Sequence, residues 1–330
     1  MRIFVVLSLA GLAVVMYRSS ITGSLTHLAA FSWRFVLFGL ALVVCDLVLS
    51  GARIYIFAAS VCPKISFLSS VQASLANIFL GGVTPSQTGG GPGQIYVLYK
   101  EGMNVFDAMV VSFIGCFLGT AIFFPVCGLA VTIFAEPSAI DFRLQYVVKG
   151  SILAFSLIVV LSVTALVRPV KFQAAVDSLL RRTPALGRWL EKKGTLRSWV
   201  TLFGRYHDLW MFFLRRGRRI LLGGFLLTGL VYFNKFAIAY VVLKGLGISA
   251  PFWEVVYAQL VMMLIFYFSP SPGASGIAEV SVAAVMGNII PHGYEGAFVL
   301  LWRFFSLYAA LVVGAVVLFR YVYKKRAVPE

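Results

Sequence analysis

Long apolar stretches alternate along the chain with short polar ones, and a membrane span needs about 20 apolar residues at 1.5 Å of rise each. Six stretches reach or approach that length, at 2–17, 31–58, 105–134, 146–167, 220–243 and 296–320. Two further apolar stretches break in the middle on glycine and proline. The first break is Thr84-Pro85-Ser86-Gln87-Thr88-Gly89-Gly90-Gly91-Pro92-Gly93-Gln94, and the second is Ser269-Pro270-Ser271-Pro272-Gly273-Ala274-Ser275-Gly276-Ile277-Ala278-Glu279. Backbone that leaves helix inside a bilayer is tolerated only where protein or a water-filled cavity satisfies its N–H and C=O groups. One such break in each half of a chain points to a substrate site near the midplane. Past Gly276 only about eleven residues keep helical character before Asn288 and Pro291, too few to cross alone.

Composition turns this pattern into a membrane protein. Of 330 residues, 60% are hydrophobic and 12% charged, a balance that a soluble domain of this size does not keep. The apolar run Ile3 to Met16 has no small-residue cleavage site after it and reads as a short first span rather than a removable signal peptide. Cys45, Cys62, Cys116 and Cys127 have no C-x-x-C spacing and the histidines are scattered, so no metal site, disulfide framework or cofactor is indicated.

The net charge of +16 is concentrated in one loop. From Arg168 to Arg219, 13 Lys/Arg stand against Asp177, Glu191 and Asp208. The positive-inside rule places such a loop in the cytoplasm. Within it Trp199, Phe203, Tyr206 and Trp210 share one helical face, which predicts an interfacial helix on anionic lipid and argues against nucleic acid.

Charge parity then sets the topology. The basic loop and Lys324-Lys325-Arg326 both belong inside, and the spans 220–243 and 296–320 already supply an even number of crossings, so 251–287 is a re-entrant hairpin opening from outside. By the same count the loop with Glu136 and Asp141 lies outside, Lys64 and Lys100 lie inside, and 66–100 is a hairpin opening from the cytoplasm. The expected fold is an all-α polytopic membrane protein with about six transmembrane helices and two oppositely oriented re-entrant helical hairpins in an inverted repeat. The chain 1–330 is read as one membrane domain, with repeats at 31–134 and 220–320 around the basic cytoplasmic segment 168–219. A faint echo accompanies the repeat: shifted by 185 residues, Pro85 falls on Pro270, Gly91 on Gly276 and Gln94 on Glu279.

Each break is followed by a helix expected to start near Gly93 and near Gly276, and helix N-termini suit anions such as phosphate. Glycine there allows close approach and positive φ, or merely a tight hairpin. The Lys-Ser/Thr ending of a nucleotide P-loop is absent. Charges inside spans are costly and face a partner or a cavity. Asp46 and Arg53 sit on the second span, Lys235 is mid-span, Arg303 is about two turns into the last span and Glu279 opens the second returning helix. The cations read either as a site for an anionic headgroup or as members of structural ion pairs such as Asp46 with Lys235 or Glu279 with Arg303. Gly273-Ala274-Ser275-Gly276 also matches the G-x-S-G core of rhomboid-type intramembrane proteases, but Val280 stands where that pattern has glycine, and the downstream His292 lies in a loop.

The two broken loops resemble the transmembrane region of the lysylphosphatidylglycerol synthase/flippase family. The likeness is carried by Thr84, Pro85, Gly89, Gly90, Gly91, Pro92, Gln94, Tyr96, Leu98, Lys100 and Gly102, and by the stretch Ser271 to Glu279. The resemblance implies a lipid-handling membrane domain which, in bifunctional aminoacyl-lipid synthases, moves aminoacylated phosphatidylglycerol between leaflets. It puts weight on Pro85, Gly89, Gly90, Pro92 and Gln94, and on Pro272, Gly273, Gly276 and Glu279. The sequence ends ten residues beyond Arg320, and a stand-alone membrane domain without the aminoacyl-transferase part is expected. Some relatives are linked to polyprenyl-linked sugar or hopanoid pathways.

The resulting expectation is a flippase-like lipid translocase of the bacterial inner membrane, both termini cytoplasmic, passive or ion-coupled and not an enzyme. Arg53, Lys235 and Arg303 would bind phosphate, amides at Gly90, Gly91, Gly273 and Gly276 would cradle it, and Thr84, Pro85, Gly89, Pro92, Gln94, Ser271, Pro272 and Ser275 would shape the site. Glu279 would meet a cationic group or carry a proton. The lipid would be an anionic or aminoacylated phospholipid, or a polyprenyl or hopanoid lipid. The competing reading is a non-transporting membrane partner that docks a glycosyltransferase or lipid-synthesis enzyme through 168–219.

Overall fold

The computed structural model describes residues 26–119, 142–167, 178, 195–267 and 269–326. The expected span at 2–17, the acidic loop with Glu136 and Asp141, and Arg168 with much of the basic loop lie outside them. Every regular element among the described residues is helical. In chain order these are α1 (Trp33–Val61), α2 (Phe67–Val83), α3 (Gly90–Lys100), α4 (Val105–Cys116), α5 (Phe142–Val167), α6 (Thr195–Arg215), α7 (Arg218–Gly245), α8 (Phe252–Tyr267), α9 (Ile277–Val285), α10 (Glu295–Arg303) and α11 (Ala309–Arg326). A π-helical turn, Phe304–Tyr308, joins α10 to α11, and a 3-10 turn follows each of α2 (Pro85–Gln87) and α8 (Pro272–Ala274).

Local chemistry sets these boundaries. Ser66 caps α2, its hydroxyl accepting the Ser69 N–H at 3.0 Å, and the Asn104 side chain accepts the Phe106 N–H at 2.9 Å to start α4. Proline disfavours helical backbone in the residue before it. Thr84 before Pro85 (φ −109, ψ 148) and Ser271 before Pro272 (φ −81, ψ 146) are accordingly extended, and there α2 and the segment after α8 leave helix.

α1 and α7 run against each other along much of their lengths. From α1 the chain continues through α2, a broken tip, α3 and α4; from α7 it continues through α8, a second broken tip, α9 and α10. The arms of each hairpin contact one another, α2 with α3 and α8 with α9, and the two tips meet. One core gathers Phe57, Leu98, Ile114 and Phe213 from α1, α3, α4 and α6; the other gathers Ile238, Met262, Met286 and Phe298 from α7 to α10. The outward faces stay apolar: Trp33, Leu37, Leu40, Val44 and Val48 recur along one side of α1, and Leu222, Leu226, Leu230 and Phe233 along α7. Exposed apolar stripes of that length face lipid in a membrane protein. Among the described residues α1, α7 and the helix 295–320 are long and apolar enough to cross a bilayer; α5 is a 26-residue helix. The chain is a multi-pass helical membrane protein.

Three expectations change in detail. The first returning helix begins at Gly90 rather than near Gly93, while the second begins at Ile277, capped by the expected Gly276. The two tips correspond in backbone at a spacing of 187 residues rather than 185, because Ser86 and Gln87 after Pro85 take the left-handed conformation of Gly273 and Ala274 after Pro272. The shared feature is backbone, which residue identity conceals. Finally, α6 turns its aromatic face toward protein at the positions described: Trp210 is buried and edge-on to Phe117, and Phe213 is fully buried edge-on to Phe57. An amphipathic stripe fixes which face is buried, not what buries it. Burial pushes the Tyr206 phenol above its ordinary pKa.

Candidate functional site

The site is built around the two tips. In each, an extended residue leads into proline, and the next two residues adopt left-handed backbone: Ser86 (φ 50) and Gln87 (φ 55) in the first, Gly273 (φ 57) and Ala274 (φ 55) in the second. Three of these four carry a Cβ, and each such residue costs of order 1–3 kcal/mol. The two tips are held differently. In the first, the Thr84 hydroxyl donates to the Leu80 carbonyl at 2.7 Å and accepts the Gly89 N–H at 2.8 Å. In the second, the Arg303 guanidinium donates to the carbonyls of Gly273 (3.1 Å) and Ala274 (3.3 Å), while Glu279 accepts the Gly276 N–H at 2.6 Å and Arg303 Nε at 3.1 Å. Ser86 Oγ donates across the junction to the Ser269 carbonyl at 3.4 Å.

The intramembrane charges divide into paired and unpaired. Glu279 (1% exposed) and Arg303 (5% exposed) form a fully buried pair. Lys235 on α7 reaches Asp46 on α1 at 3.1 Å, while Asp46 Oδ1 is buried with no hydrogen-bond partner. Arg53, two turns further along α1, makes no ion pair among the described residues, and its buried Nε has no partner. Of the three cations read as phosphate ligands, two are therefore already matched by carboxylates. Both Glu279 oxygens accept hydrogen bonds within the second tip, and the side chain is buried there.

Two cavities flank the junction. The smaller, of about 220 Å³, lies between Asp46 and Lys235 on one side and Arg303, Gly273 and Ala274 on the other. The larger, of about 310 Å³, is bounded by Arg53, Gln94, Ser112 and Tyr232, with Ser86 and Gly91 at the tip. Asn77 and Gln87 line both. In the larger cavity polar side chains form a directed chain. Asn77 donates to Gln94 Oε1 (3.0 Å), Gln94 donates to Ser112 Oγ (3.1 Å), and Ser112 donates to the Ala108 carbonyl (2.8 Å).

The loop glycines split by role. A Cβ on Gly93 would sit 2.6 Å from Leu80 Cδ1 and 3.0 Å from the Ala76 carbonyl, so this glycine lets α3 lie directly on α2; Gly89 and Gly90 are similarly crowded. Gly91 has nothing within 4 Å of that position and borders the larger cavity. Gly276 (φ 83) needs positive φ as the cap of α9, whereas Gly89 (φ −76) does not. Pro92 stands within the first turn of α3, where a missing N–H costs nothing. Ser275 is 2% exposed, while the His292 side chain is fully exposed beside Glu295, so the two do not meet as nucleophile and base. Asn77, Ser112, Gln87 and Tyr232 escaped the sequence reading. The available signal was a polar side chain within an otherwise apolar helix, which holds for Asn77 and Ser112 alone.

Broken hairpins meeting at their tips, charges buried between helices and apolar outer faces define a polytopic helical membrane protein with an internal polar site. Within that class, the chain belongs to the family described as lysylphosphatidylglycerol synthase TM region, whose model matches residues 3–314. It is also similar to a UPF0104 membrane protein of Archaeoglobus fulgidus, at 25% identity over 256 residues, 77% of this chain and 76% of that one. No solved structure matches it.

Proposed function

We propose that this protein is a flippase-like lipid translocase of the cytoplasmic membrane, with the basic segment and both termini on the cytoplasmic side. The observation that carries this reading is the junction itself: two strained tips in contact, with a cavity on each side that holds charged and polar side chains, and with Asn77 and Gln87 bordering both among the described residues. Strained backbone persists where surrounding structure over-determines it, and it clusters at ligand clamps and switch regions. A headgroup lodged at the tips would exchange between the cavities while its acyl chains follow the apolar faces of α1 and α7. Family membership supports a lipid-related role and is silent on direction and driving force. The hairpins would then be re-entrant elements of an inverted repeat, which the common backbone of the two tips supports. The competing docking reading rests on the basic segment 168–219, much of which lies outside the described residues; in its described part the aromatic residues Trp210 and Phe213 pack on the protein's own core.

The test is translocation in vesicles holding the purified protein, with fluorescent phosphatidylglycerol scored by its accessibility to a membrane-impermeant quencher. Wild type is expected to expose the inner-leaflet pool, and Arg53→Gln to slow this about tenfold or more, the worth of one lost charge-assisted hydrogen bond. Unchanged leaflet distribution for every lipid offered overturns the proposal.

A further inference from the structure

The larger cavity has a one-sided chemistry. Among the described residues, Arg53 is the only formally charged side chain on its wall, and none of the lining side chains is a carboxylate. Gln94 is buried, and both it and Asn77 spend one N–H in the polar chain, so each keeps a second N–H. A guanidinium without a counter-charge inside a membrane domain is expensive. Hydrogen-bond donors around it compound the demand for an acceptor. The smaller cavity makes no such demand, because Lys235 and Arg303 are both matched by carboxylates.

The geometry points to a headgroup site here: we infer that the larger cavity takes the phosphate oxyanion of a monoanionic phosphodiester whose other polar groups are uncharged hydroxyls. Arg53 meets the phosphate, and the spare amide N–H groups and Ser112 meet the hydroxyls. An amine-bearing headgroup, zwitterionic or aminoacylated, is disfavoured because its cation would lie near Arg53 with no carboxylate among the described lining residues to receive it. A cavity of about 310 Å³ stands at the lower end of ligand-site sizes and suits a headgroup without its tails. This narrows the translocase reading and draws on it only for the ligand's source. The same chemistry would also take a free phosphate ester.

The experiment is native mass spectrometry of the full chain in mild detergent, offered equal amounts of phosphatidylglycerol and phosphatidylethanolamine. Wild type is expected to retain phosphatidylglycerol by about tenfold, the worth of one charge-assisted hydrogen bond. Arg53→Lys should keep the preference and Arg53→Gln should bring the two lipids to parity. Gln94→Glu should do the same by giving Arg53 an internal carboxylate, and it carries the test if Arg53→Gln does not fold. Displacement by millimolar glycerol 3-phosphate would extend the site to free esters, whereas persistence of the lipid confines it to headgroups; either keeps the oxyanion assignment. Equal retention by wild type, or a preference untouched by both neutralising variants, overturns it. Selective retention without translocation sinks only the translocase reading, and translocation without selectivity sinks only this one.

Discussion

At the residue scale, neighbouring glycines and neighbouring charges have different jobs. Gly93→Ala forces a methyl group onto Leu80 and the Ala76 carbonyl, and an overpacked contact of this kind costs about 1–3 kcal/mol. Gly91→Ala meets open space and is expected to leave stability unchanged while narrowing the larger cavity. Thermal unfolding in detergent beside the vesicle assay separates the two: the first variant loses stability, the second loses rate. For Glu279 and Arg303, breaking a buried pair by removing one partner costs about 3–5 kcal/mol. Arg303→Met and Glu279→Gln are each expected to destabilise strongly, and the double variant by less than their sum, as a double-mutant cycle will register. The double variant still lacks the guanidinium that holds the Gly273 and Ala274 carbonyls, so its stability returns further than its translocation does. The sequence marked Asp46, Arg53, Lys235, Glu279 and Arg303 as unusual because charge inside an apolar run is conspicuous. Which of them were already matched depended on distances between different helices, 189 residues apart for Asp46 and Lys235 and 24 for Glu279 and Arg303, and no spacing rule carries that information.

Among the elements, α6 is the most altered by folding. Arg205 on α6 reaches Asp107 on α4 at 2.6 Å, with the arginine side chain 46% exposed, so Arg205→Ala is expected to cost no more than about 1 kcal/mol. Trp210 is buried against Phe117, and Trp210→Ala should cost about 3–5 kcal/mol. Thermal melting of both variants checks the ordering, and the reverse ordering would return α6 to a surface role. Deletions within the basic segment that reach Trp210 therefore damage the fold itself. The hydrophobic pattern identified α1, α7 and the last helices because long apolar runs leave few alternatives. It marked both tips through proline and glycine, but it missed their common register. Ser86-Gln87 and Gly273-Ala274 share a backbone conformation and no residue type.

At the scale of the whole molecule, two hairpins converge on one junction at their tips, and α1 packs along α7. If that junction must open for lipid to pass, tying it shut should stop transport while leaving binding intact. In a background free of the four native cysteines, Ser86→Cys with Ser269→Cys joined by a short bis-thiol reagent is expected to abolish translocation but preserve retention of phosphatidylglycerol. Each single cysteine treated in the same way should remain active, and a crosslinked protein that still equilibrates lipid shows that the tips stay together during passage.

Among the described residues, Asn77 and Gln87 are the side chains that border both cavities, and under the proposed translocation they are what a headgroup must displace between them. A barrier of that kind yields through rotamer changes, which in accessible positions take picoseconds to nanoseconds, whereas moving a helix takes microseconds to milliseconds. If lipid crosses at this junction, the amides would impose almost no delay of their own once the tips part. The tempo of each crossing would then be set by hairpin separation and by the lipid turning its tails, and substituting Asn77 or Gln87 is expected to alter which headgroups enter far more than how quickly they leave.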